Sequence, residues 1–370
     1  LRDWLTLIRA PRLGGSRLIA LVERLGSPAD VLAAARRRAG LGLEGETIDA
    51  LTRPDEERIE ADIAWLAQEN RHLLAWNDER YPGLLRRISS PPAALFVEGD
   101  PEALWLPQLA IIGSRNPTSG GLDLARSFSI EMCRHGLAIC SGLASGIDTA
   151  AHVAALQTGG RTVAVTGTGL DRVYPASSAT VAARIPGAGA VVSEFPPGTQ
   201  ARRSHFPSRN RIIAGLSLGV LVVEAGLNSG SLITARQAAE QGKEVFALPG
   251  SLHNPMVKGC HRLIKEGARL VESSGDILEA LAPLAGELAG ELQQALAFAD
   301  EPSEPVETHH DLLDDPDYAR LWQALSYDPQ PVDALVRSSG LEVREVSSML
   351  LMLELKGLVS GGAGSTYCRK

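Results

Sequence analysis

Seven short apolar runs between residues 108 and 273 constrain the fold more than any other feature of the chain. They read QLAIIGS, GLAICSG, RTVAVTG, GAVVSE, LGVLVVEA, KEVFALPG and ARLVES. Segments with helical periodicity separate the runs, and within each run polar residues do not alternate with apolar ones. A sheet that is covered by helices on both faces requires such runs. The pattern therefore predicts an α/β fold with an open, doubly wound, mostly parallel sheet.

The length and composition of the chain limit the classes of protein to which it can belong. With 370 residues, 44% of them hydrophobic and 22% charged, the sequence is typical of a folded protein with two or three domains. The formal net charge of −8 argues against indiscriminate binding of nucleic acid. It is compatible with a local basic cleft, because electrostatic steering depends on where the charges lie.

The cysteines and the lack of long apolar segments bear on the cellular compartment. The four cysteines form no CxxC pair and show no spacing with histidine that is typical of zinc; they are Cys133, Cys140, Cys260 and Cys368. Reduced thiols of this kind favour the cytoplasm. We expect neither a signal sequence nor a membrane segment, because no charged-then-apolar stretch opens the sequence and no run of about 18 apolar residues occurs in it.

Changes in composition divide the chain into four parts. Residues 1–75 contain short helices broken by glycine and predict a small helical domain of the helix–hairpin–helix or SAM type. Residues 76–282 carry the sheet. Residues 283–312 are rich in Ala, Glu and Pro and predict a linker. Residues 313–370 combine short helices with a Gly-rich hairpin, which predicts a winged helix.

Three turns at predicted strand ends combine glycine with small hydroxyl side chains. In an open parallel sheet, ligands bind beyond the carboxyl ends of the strands. Glycine lets backbone N–H groups approach an anion, and the start of the following helix adds its positive dipole. We therefore expect phosphate contacts at three groups of residues: Gly113, Ser114 and Arg115; Ser141 and Gly142; and Ser229, Gly230 and Ser231.

The segment FPSRNR joins these turns into one hypothesis. No Asp or Glu occurs between residues 195 and 223, where Arg209 and Arg211 flank Asn210. Several anion sites in a row, linked by arginines, suit a chain of phosphates better than one nucleotide. A structural interpretation stays open, in which the arginines cap a helix at 211–217 or pair with glutamates at positions 194 and 224. We include Lys243 as a further candidate, although it precedes its strand and so lies at the end of the strand opposite the crevice.

Other motifs suggest enzyme chemistry more weakly. Asp148 and His152 lie four residues apart, as a general-base pair would, but they also suit a helix cap and a packed histidine. The Gly167–Gly169 turn begins like a dinucleotide fingerprint, yet Arg172 stands where the third glycine belongs. No cluster of acids has the spacing of a metal site. We expect no catalytic residue, no metal and no cofactor.

Taken together, the motifs resemble the DprA (Smf) family of bacterial DNA-processing proteins over roughly residues 80–280. The motifs occur in order and include IIGSRNPTSGG, SGLASGIDTAAHVAAL, TVAVTGTGLDRVYP, VVSEFPPG, FPSRNRIIAGLS, VVEAGLNSGSLITARQAAEQGKEVFALPG and GCHRLIKEGA. YPGLLRRISSPPAALFVEGD, just before the predicted sheet, also fits. The resemblance implies an extended Rossmann-like domain.

The resemblance also implies a function and a set of site residues. Proteins of this family bind single-stranded DNA without sequence preference, form homodimers, protect incoming strands and load RecA recombinase during natural transformation. The family's motif residues fall here on Gly113, Ser114, Arg115, Ser141, Gly142, Phe206, Arg209, Asn210 and Arg211. Phe206 would either stack on a base or fill the core. The chain departs from the family pattern at Cys260 and His261, which puts a role for that loop in doubt.

Two further alternatives follow from the residues. A nucleotide N-glycosidase on the same Rossmann variant would use Glu224 as acid or nucleophile, although the turn Ser229-Gly230-Ser231 departs from the usual glycine-rich one. Residues 313–370 contain eight acids and six bases. Since a winged helix that reads DNA is usually basic, this balance favours a protein contact for the module.

Overall fold

The computed structural model describes residues 1–38 and 40–284 continuously and part of the C-terminal region. In that region the described residues are 316–326, 330–341, 343, 345–346, 349–350, 353, 358–362 and 366–369. The chain divides into two compact units, Leu1–Leu292 and Gln293–Lys370. Residues 283–284 continue a helix, and the rest of the linker predicted at 283–312 lies outside the described residues.

Five helices form the N-terminal part of the first unit. They are α1 (Arg2–Arg9), α2 (Gly15–Leu25), α3 (Pro28–Arg36), α4 (Gly45–Thr52) and α5 (Glu56–Leu66). Local signals set their starts: the Ser27 side chain accepts the Asp30 N–H ahead of a proline at the first position of α3. Asp55 accepts the Arg58 N–H in the same way at α5. Leu18 and Val22 lie in the buried core of this part.

The five helices pack directly on the sheet. Leu5 and Ile59 share a buried cluster with Phe96 of the sheet. A bidentate ion pair joins Arg9 to the fully buried Asp62, with Nε–Oδ2 and Nη2–Oδ1 distances of 2.5 and 2.6 Å. The predicted boundary at residue 75 is wrong, because residues 71–75 pair within the sheet.

The sheet has nine strands in the order β1-β2-β6-β5-β4-β3-β7-β8-β9. The strands are β1 (Arg71–Ala75), β2 (Ala94–Gly99), β3 (Gln108–Ile112), β4 (Ala138–Ser141), β5 (Thr162–Val165), β6 (Gly189–Ser193), β7 (Gly219–Val222), β8 (Glu244–Ala247) and β9 (Arg269–Leu270). Strands β3 to β9 are parallel and coincide with the seven predicted runs. Two strands were not predicted: β1 and β2 extend the sheet as an antiparallel pair beyond β6.

Helices cover both faces of the parallel part, as the uninterrupted apolar runs predict. They are α6 (Gly83–Arg86), α7 (Ser119–Arg134), α8 (Ile147–Gln157), α9 (Ala179–Ala182), α10 (His205–Leu216), α11 (Ser231–Glu240), α12 (Lys258–Lys265) and α13 (residues 274–284). Two large buried clusters fill the spaces above and below the sheet. Within the described ranges, no helix is long and apolar enough to cross a membrane.

The order of the strands creates a switch point between β3 and β7. From β3 the chain builds β4, β5 and β6 on one side, and it then returns to place β7 on the other side. The connections after β3 and β7 therefore diverge and leave a crevice at their carboxyl ends, where doubly wound proteins bind ligands.

The second unit is a winged helix. It contains α14 (Pro316–Ala324), α15 (Val332–Ser339) and a three-stranded sheet of β10 (Gln330–Pro331), β12 (Thr366–Arg369) and β11 (Val359–Gly362). Gly340 ends α15 at a φ of 71°, a left-handed conformation that favours glycine. Val346, Leu350 and Leu353 are fully buried.

Buried His152 generates a prediction about pH and stability. Its Nδ1 lies 2.7 Å from Thr162 Oγ1, and Nε2 has no hydrogen-bond partner among the described residues. Burial, with a smaller contribution from the charge of Arg209, lowers the pKa of His152 from 6.5 to about 3. Between these values the unfolded chain binds more protons than the folded one. We therefore expect the free energy of unfolding to fall by up to about 1.4 kcal/mol per pH unit as the pH drops through this window.

Denaturant unfolding from about pH 7 to about pH 5 measures this effect. A His152→Gln variant lacks the titrating group, so its stability should depend less steeply on pH than that of the wild type. His253→Gln, at an exposed position, is the matched control and should keep the wild-type slope. Equal slopes for His152→Gln and the wild type would contradict the prediction.

Candidate functional site

A cleft of about 930 Å³ opens at the switch point between β3 and β7. Residues 113–116 after β3, the first turns of α10, residues 226–234 after β7 and residues 255–258 after β8 line most of it, and Ala144 and Asp148, which follow β4, complete the lining. We call it the switch-point cleft. Three of these segments follow parallel strands, so their convergence is a direct consequence of the strand order.

The turn after β3 places Arg115 at the mouth of the cleft. Gly113 allows the turn to pass close to its neighbours, because a Cβ at this position would lie 2.7 Å from Ile147 Cγ1. The Ser114 hydroxyl accepts the Asn116 N–H at 3.0 Å, which keeps Ser114 inward and leaves Arg115 exposed. The structure thus brings the predicted residues Gly113, Ser114 and Arg115 into the cleft.

Phe206 forms an aromatic wall beside Arg115. The guanidinium carbon of Arg115 lies 5.6 Å from the centroid of the Phe206 ring, within the range of a cation–π contact. Phe206 also packs against Tyr174, which is half exposed, with the ring centroids 5.5 Å apart and the ring planes tilted by 44°. Phe206 is itself only partly buried and lines the cleft, so it is not a core residue.

Arg209 lies at the floor of the cleft and is only 5% exposed. Its Nη1 donates to the carbonyl oxygen of Gly142 at 2.5 Å and to that of Val165, which ties α10 to the ends of β4 and β5. Nε has no partner among the described residues. Burial lowers the pKa of Arg209 to about 10, so the group is still charged at neutral pH.

The turn after β4 lies beneath this floor. Ser141 is fully buried and donates to the Ile111 carbonyl oxygen, while the Gly142 N–H donates to Asp148 Oδ2 at 3.2 Å. Asp148 also accepts the Ala144 N–H, so it orders the loop before α8 and does not cap the helix, whose N-cap residue, Gly146, makes no side-chain cap hydrogen bond. Burial raises the pKa of Asp148, which the charge of Arg209 partly offsets. The polar groups of Ser141 and the Gly142 N–H are therefore engaged within the protein.

Arg211 points away from the cleft. The sequence predicted a helix beginning at residue 211, whereas α10 begins at His205 and includes the whole Arg-Asn-Arg segment. Side chains two positions apart on a helix do not share a face. Arg211 pairs with Glu194, both side chains being less than one-fifth exposed, as one of the alternatives proposed. Asn210 faces the cleft beside Arg209.

The turn after β7 supplies small polar groups. Ser229, Gly230, Ser231 and Thr234 all line the cleft. The hydroxyls of Ser229 and Ser231 lie 2.6 Å apart at the start of α11. Some of the first N–H groups of α11 are already used, since Leu232 N–H donates to the Ser229 carbonyl. The hydroxyls are thus the prominent polar feature of this wall.

Lys258 is a cleft residue that the sequence interpretation missed. It is exposed at the start of α12, after β8, whereas the predicted Lys243 precedes β8 and lines other cavities. The rule about carboxyl ends, applied to β8, would have found Lys258. His261, where the sequence departs from the family pattern, has a structural contact in this loop. Its Nε2 accepts the Gly250 N–H at 3.3 Å and so anchors the segment that leads to Lys258.

The groups considered for catalysis are engaged in the fold. Glu224 is 4% exposed, and its two carboxylate oxygens accept the N–H and the hydroxyl of Thr118 at 2.9 and 2.6 Å, at the start of α7. The Gly167–Gly169 turn is followed by irregular backbone, without the helix start that a dinucleotide site needs. In the part of the chain that the structure describes, no three His, Cys, Asp or Glu side chains cluster as a metal site would require.

Known proteins are similar to this chain over most of its length. Residues 72–282 match the family model described as DNA recombination-mediator protein A, and residues 300–365 match the DprA winged helix domain. Protein Smf of Escherichia coli is 40% identical over 366 residues, which cover 98% of this chain and 94% of that protein. DNA processing protein DprA of Streptococcus pneumoniae is 45% identical over 225 residues, covering 60% of this chain and 79% of that protein.

Solved structures agree with the sequence relatives. The X-ray structure of the Streptococcus pneumoniae DprA superposes with a TM-score of 0.66 at 36% identity, covering 75% of this chain and 97% of that one. DNA processing protein A from Helicobacter pylori, whose structure describes a single-stranded DNA binding mode of that protein, gives 0.51 at 30% identity over 55% of this chain and 93% of that one. The chain therefore belongs to the DNA recombination-mediator protein A family, which includes DprA and Smf.

Proposed function

We propose that the chain binds single-stranded DNA in the switch-point cleft, without sequence preference, as a mediator of recombination. One observation carries the proposal: Arg115, Arg209 and Lys258 converge on a cleft in which Asp148 is the one acid among the described lining residues. Asp148 is buried and holds backbone N–H groups, so it offers little repulsion to a phosphate chain. The Helicobacter pylori relative's single-stranded DNA binding mode supports the same ligand here.

The chemistry of the cleft suits a strand rather than a duplex. Arg115 and Lys258 would contact phosphates at the rim, and the hydroxyls of Ser229 and Ser231 would donate hydrogen bonds to them. Phe206 presents a partly exposed ring on which an unpaired base can stack, and stacking is tolerant of sequence because every base has a π-face. Paired bases of a duplex do not expose that face.

Family membership supports the wider role. In this proposal the protein is a homodimer that protects incoming strands and loads RecA recombinase onto them during natural transformation, without catalysing a reaction. The winged helix contacts protein rather than DNA, in line with its excess of acidic residues.

The glycosidase alternative is weakened by the placement of Glu224. Both carboxylate oxygens accept hydrogen bonds from Thr118 at the start of α7, so the group is a structural cap rather than a free acid or nucleophile. We expect no free base when the protein is incubated with nucleoside monophosphates, as measured by chromatography. Release of base that is lost in a Glu224→Gln variant would establish the enzyme instead.

Arg115→Ala tests the proposed site. Fluorescence anisotropy with labelled oligonucleotides across a salt series should show that the wild type prefers single strands to duplexes. Removing one phosphate contact should lower the magnitude of the logarithmic salt slope by about 0.7 and weaken binding roughly fourfold near 0.15 M salt. Arg36→Ala, an exposed arginine outside the cleft, is the matched control and should bind as the wild type does. Identical binding by Arg115→Ala and the wild type would refute this assignment.

Arg211→Ala separates structural arginines from binding ones. This substitution leaves Glu194, which is 15% exposed, without its cationic partner. We expect the free energy of unfolding to fall by about 2 kcal/mol, since an unpaired carboxylate would be left largely buried. The salt slope of DNA binding should be unchanged. A lower slope with unchanged stability would place Arg211 on the DNA instead.

A further inference from the structure

A second cleft of about 980 Å³ lies between α5 of the N-terminal helices and the loop of residues 195–205. Arg58 and Trp65 line it from α5, and Arg202 and His205 line it from the loop. Both walls belong to the first compact unit. None of the family motifs quoted above includes α5, so the function proposed so far leaves this cleft unused.

The two acids that line the second cleft both have partners within the protein. Asp62 is fully buried and held by both nitrogens of the Arg9 fork. Asp171 accepts the Gly198 N–H at 2.7 Å and lies 3.3 Å from Arg172. No further acid is found among the described residues that line this cleft. An approaching anion therefore meets one partly exposed acid, Asp171, which lies beside Arg172.

The bases of the second cleft are available. Arg202 and the neighbouring Arg203 are exposed, and neither has an ion-pair partner among the described residues. Arg58 is mostly exposed, and among the described residues it pairs only with Asp55, the N-cap of α5, a contact between exposed side chains that contributes little. Beside them the rings of Phe195 and His205 are stacked, with centroids 4.1 Å apart. Cationic groups next to planar rings are the combination that binds single-stranded nucleic acid.

The two clefts meet at the first turn of α10. His205 lines the second cleft, and the next residue, Phe206, lines the switch-point cleft. The Phe206 ring lies next to both Arg115 and Tyr174. A strand that leaves the switch-point cleft at Phe206 would have to pass around the first turn of α10 to reach the His205 ring and Arg202.

We propose that the bound strand continues from the switch-point cleft into the second cleft, so that the N-terminal helices form part of the DNA interface through Arg58. This inference rests on the proposed function and extends it. Its occupant is single-stranded DNA, because the basic groups and stacked rings are continuous with the first cleft. An acidic peptide would need the same charges but neither the rings nor this continuity.

The experiment compares two labelled oligonucleotides with an Arg58→Ala/Arg202→Ala variant of the full chain. An oligonucleotide of about 6 nucleotides fills one cleft, and one of about 20 nucleotides can cover both. The variant should bind the short oligonucleotide as the wild type does. For the long one, the salt slope should fall in magnitude by about 1.4, and the affinity near 0.15 M salt should fall more than tenfold.

An Arg24→Ala/Arg37→Ala variant is the matched control, since both arginines are exposed on or beside the N-terminal helices and line neither cleft. It should bind both oligonucleotides normally. Equal binding of the long oligonucleotide by the Arg58→Ala/Arg202→Ala variant and the wild type would overturn the inference while the proposed function stands. Failure of the wild type to bind either oligonucleotide would instead refute the proposed function. Binding of polyglutamate that is lost in the variant, with unchanged DNA binding, would assign the cleft to a protein partner.

Discussion

The buried guanidinium of Arg209 holds the floor of the switch-point cleft together. Moving a cation out of water costs several kcal/mol unless its partners are well placed. Here the carbonyl oxygens of Gly142 and Val165 accept its hydrogen bonds, and Asp148 contributes the opposite charge. Gly142 must lack a side chain because a Cβ there would collide with the guanidinium. The ends of β4 and β5 and the start of α10 are thus fixed by one residue, and the residues at the rim keep their positions relative to it.

Much of the fold was predictable from the sequence because the parallel sheet is buried on both faces. Apolar runs without alternation identified β3 to β9, and glycine at the strand ends marked where the chain turns. The pair β1 and β2 was missed for a physical reason. The segment before the sheet mixes prolines with a short apolar stretch, and antiparallel pairing at the edge of a sheet depends on distant partners such as β6. Local pattern carries no information about that partner.

The site was predictable only as far as backbone position determines it. Gly113, Ser114, Arg115 and the turn at Ser229 follow strands that end at the switch point, so topology alone brings them together. The direction of a side chain on a helix also depends on where the helix begins, which the sequence did not reveal. Arg209 and Arg211 looked equivalent in the sequence, but α10 begins before them and turns one toward the sheet ends and the other toward Glu194. Tertiary packing decides whether an arginine forms an ion pair with a buried carboxylate, and a single sequence does not reveal that packing.

An acidic protein can present a basic surface path because its acids are unevenly distributed along the chain and because some of them are already paired. The segment from residue 195 to 223 contains no acid, and the glutamates at its two ends both have hydrogen-bond or ion-pair partners within the protein. Glu194 is held by Arg211 and Ser208, and Glu224 by Thr118. Charges that are paired in buried positions contribute little field outside, whereas exposed arginines dominate the potential nearby. In the proposed function, the net charge of −8 would keep the rest of the surface unattractive to nucleic acid, and the line from Lys258 to Arg202 is the route that we propose for the strand.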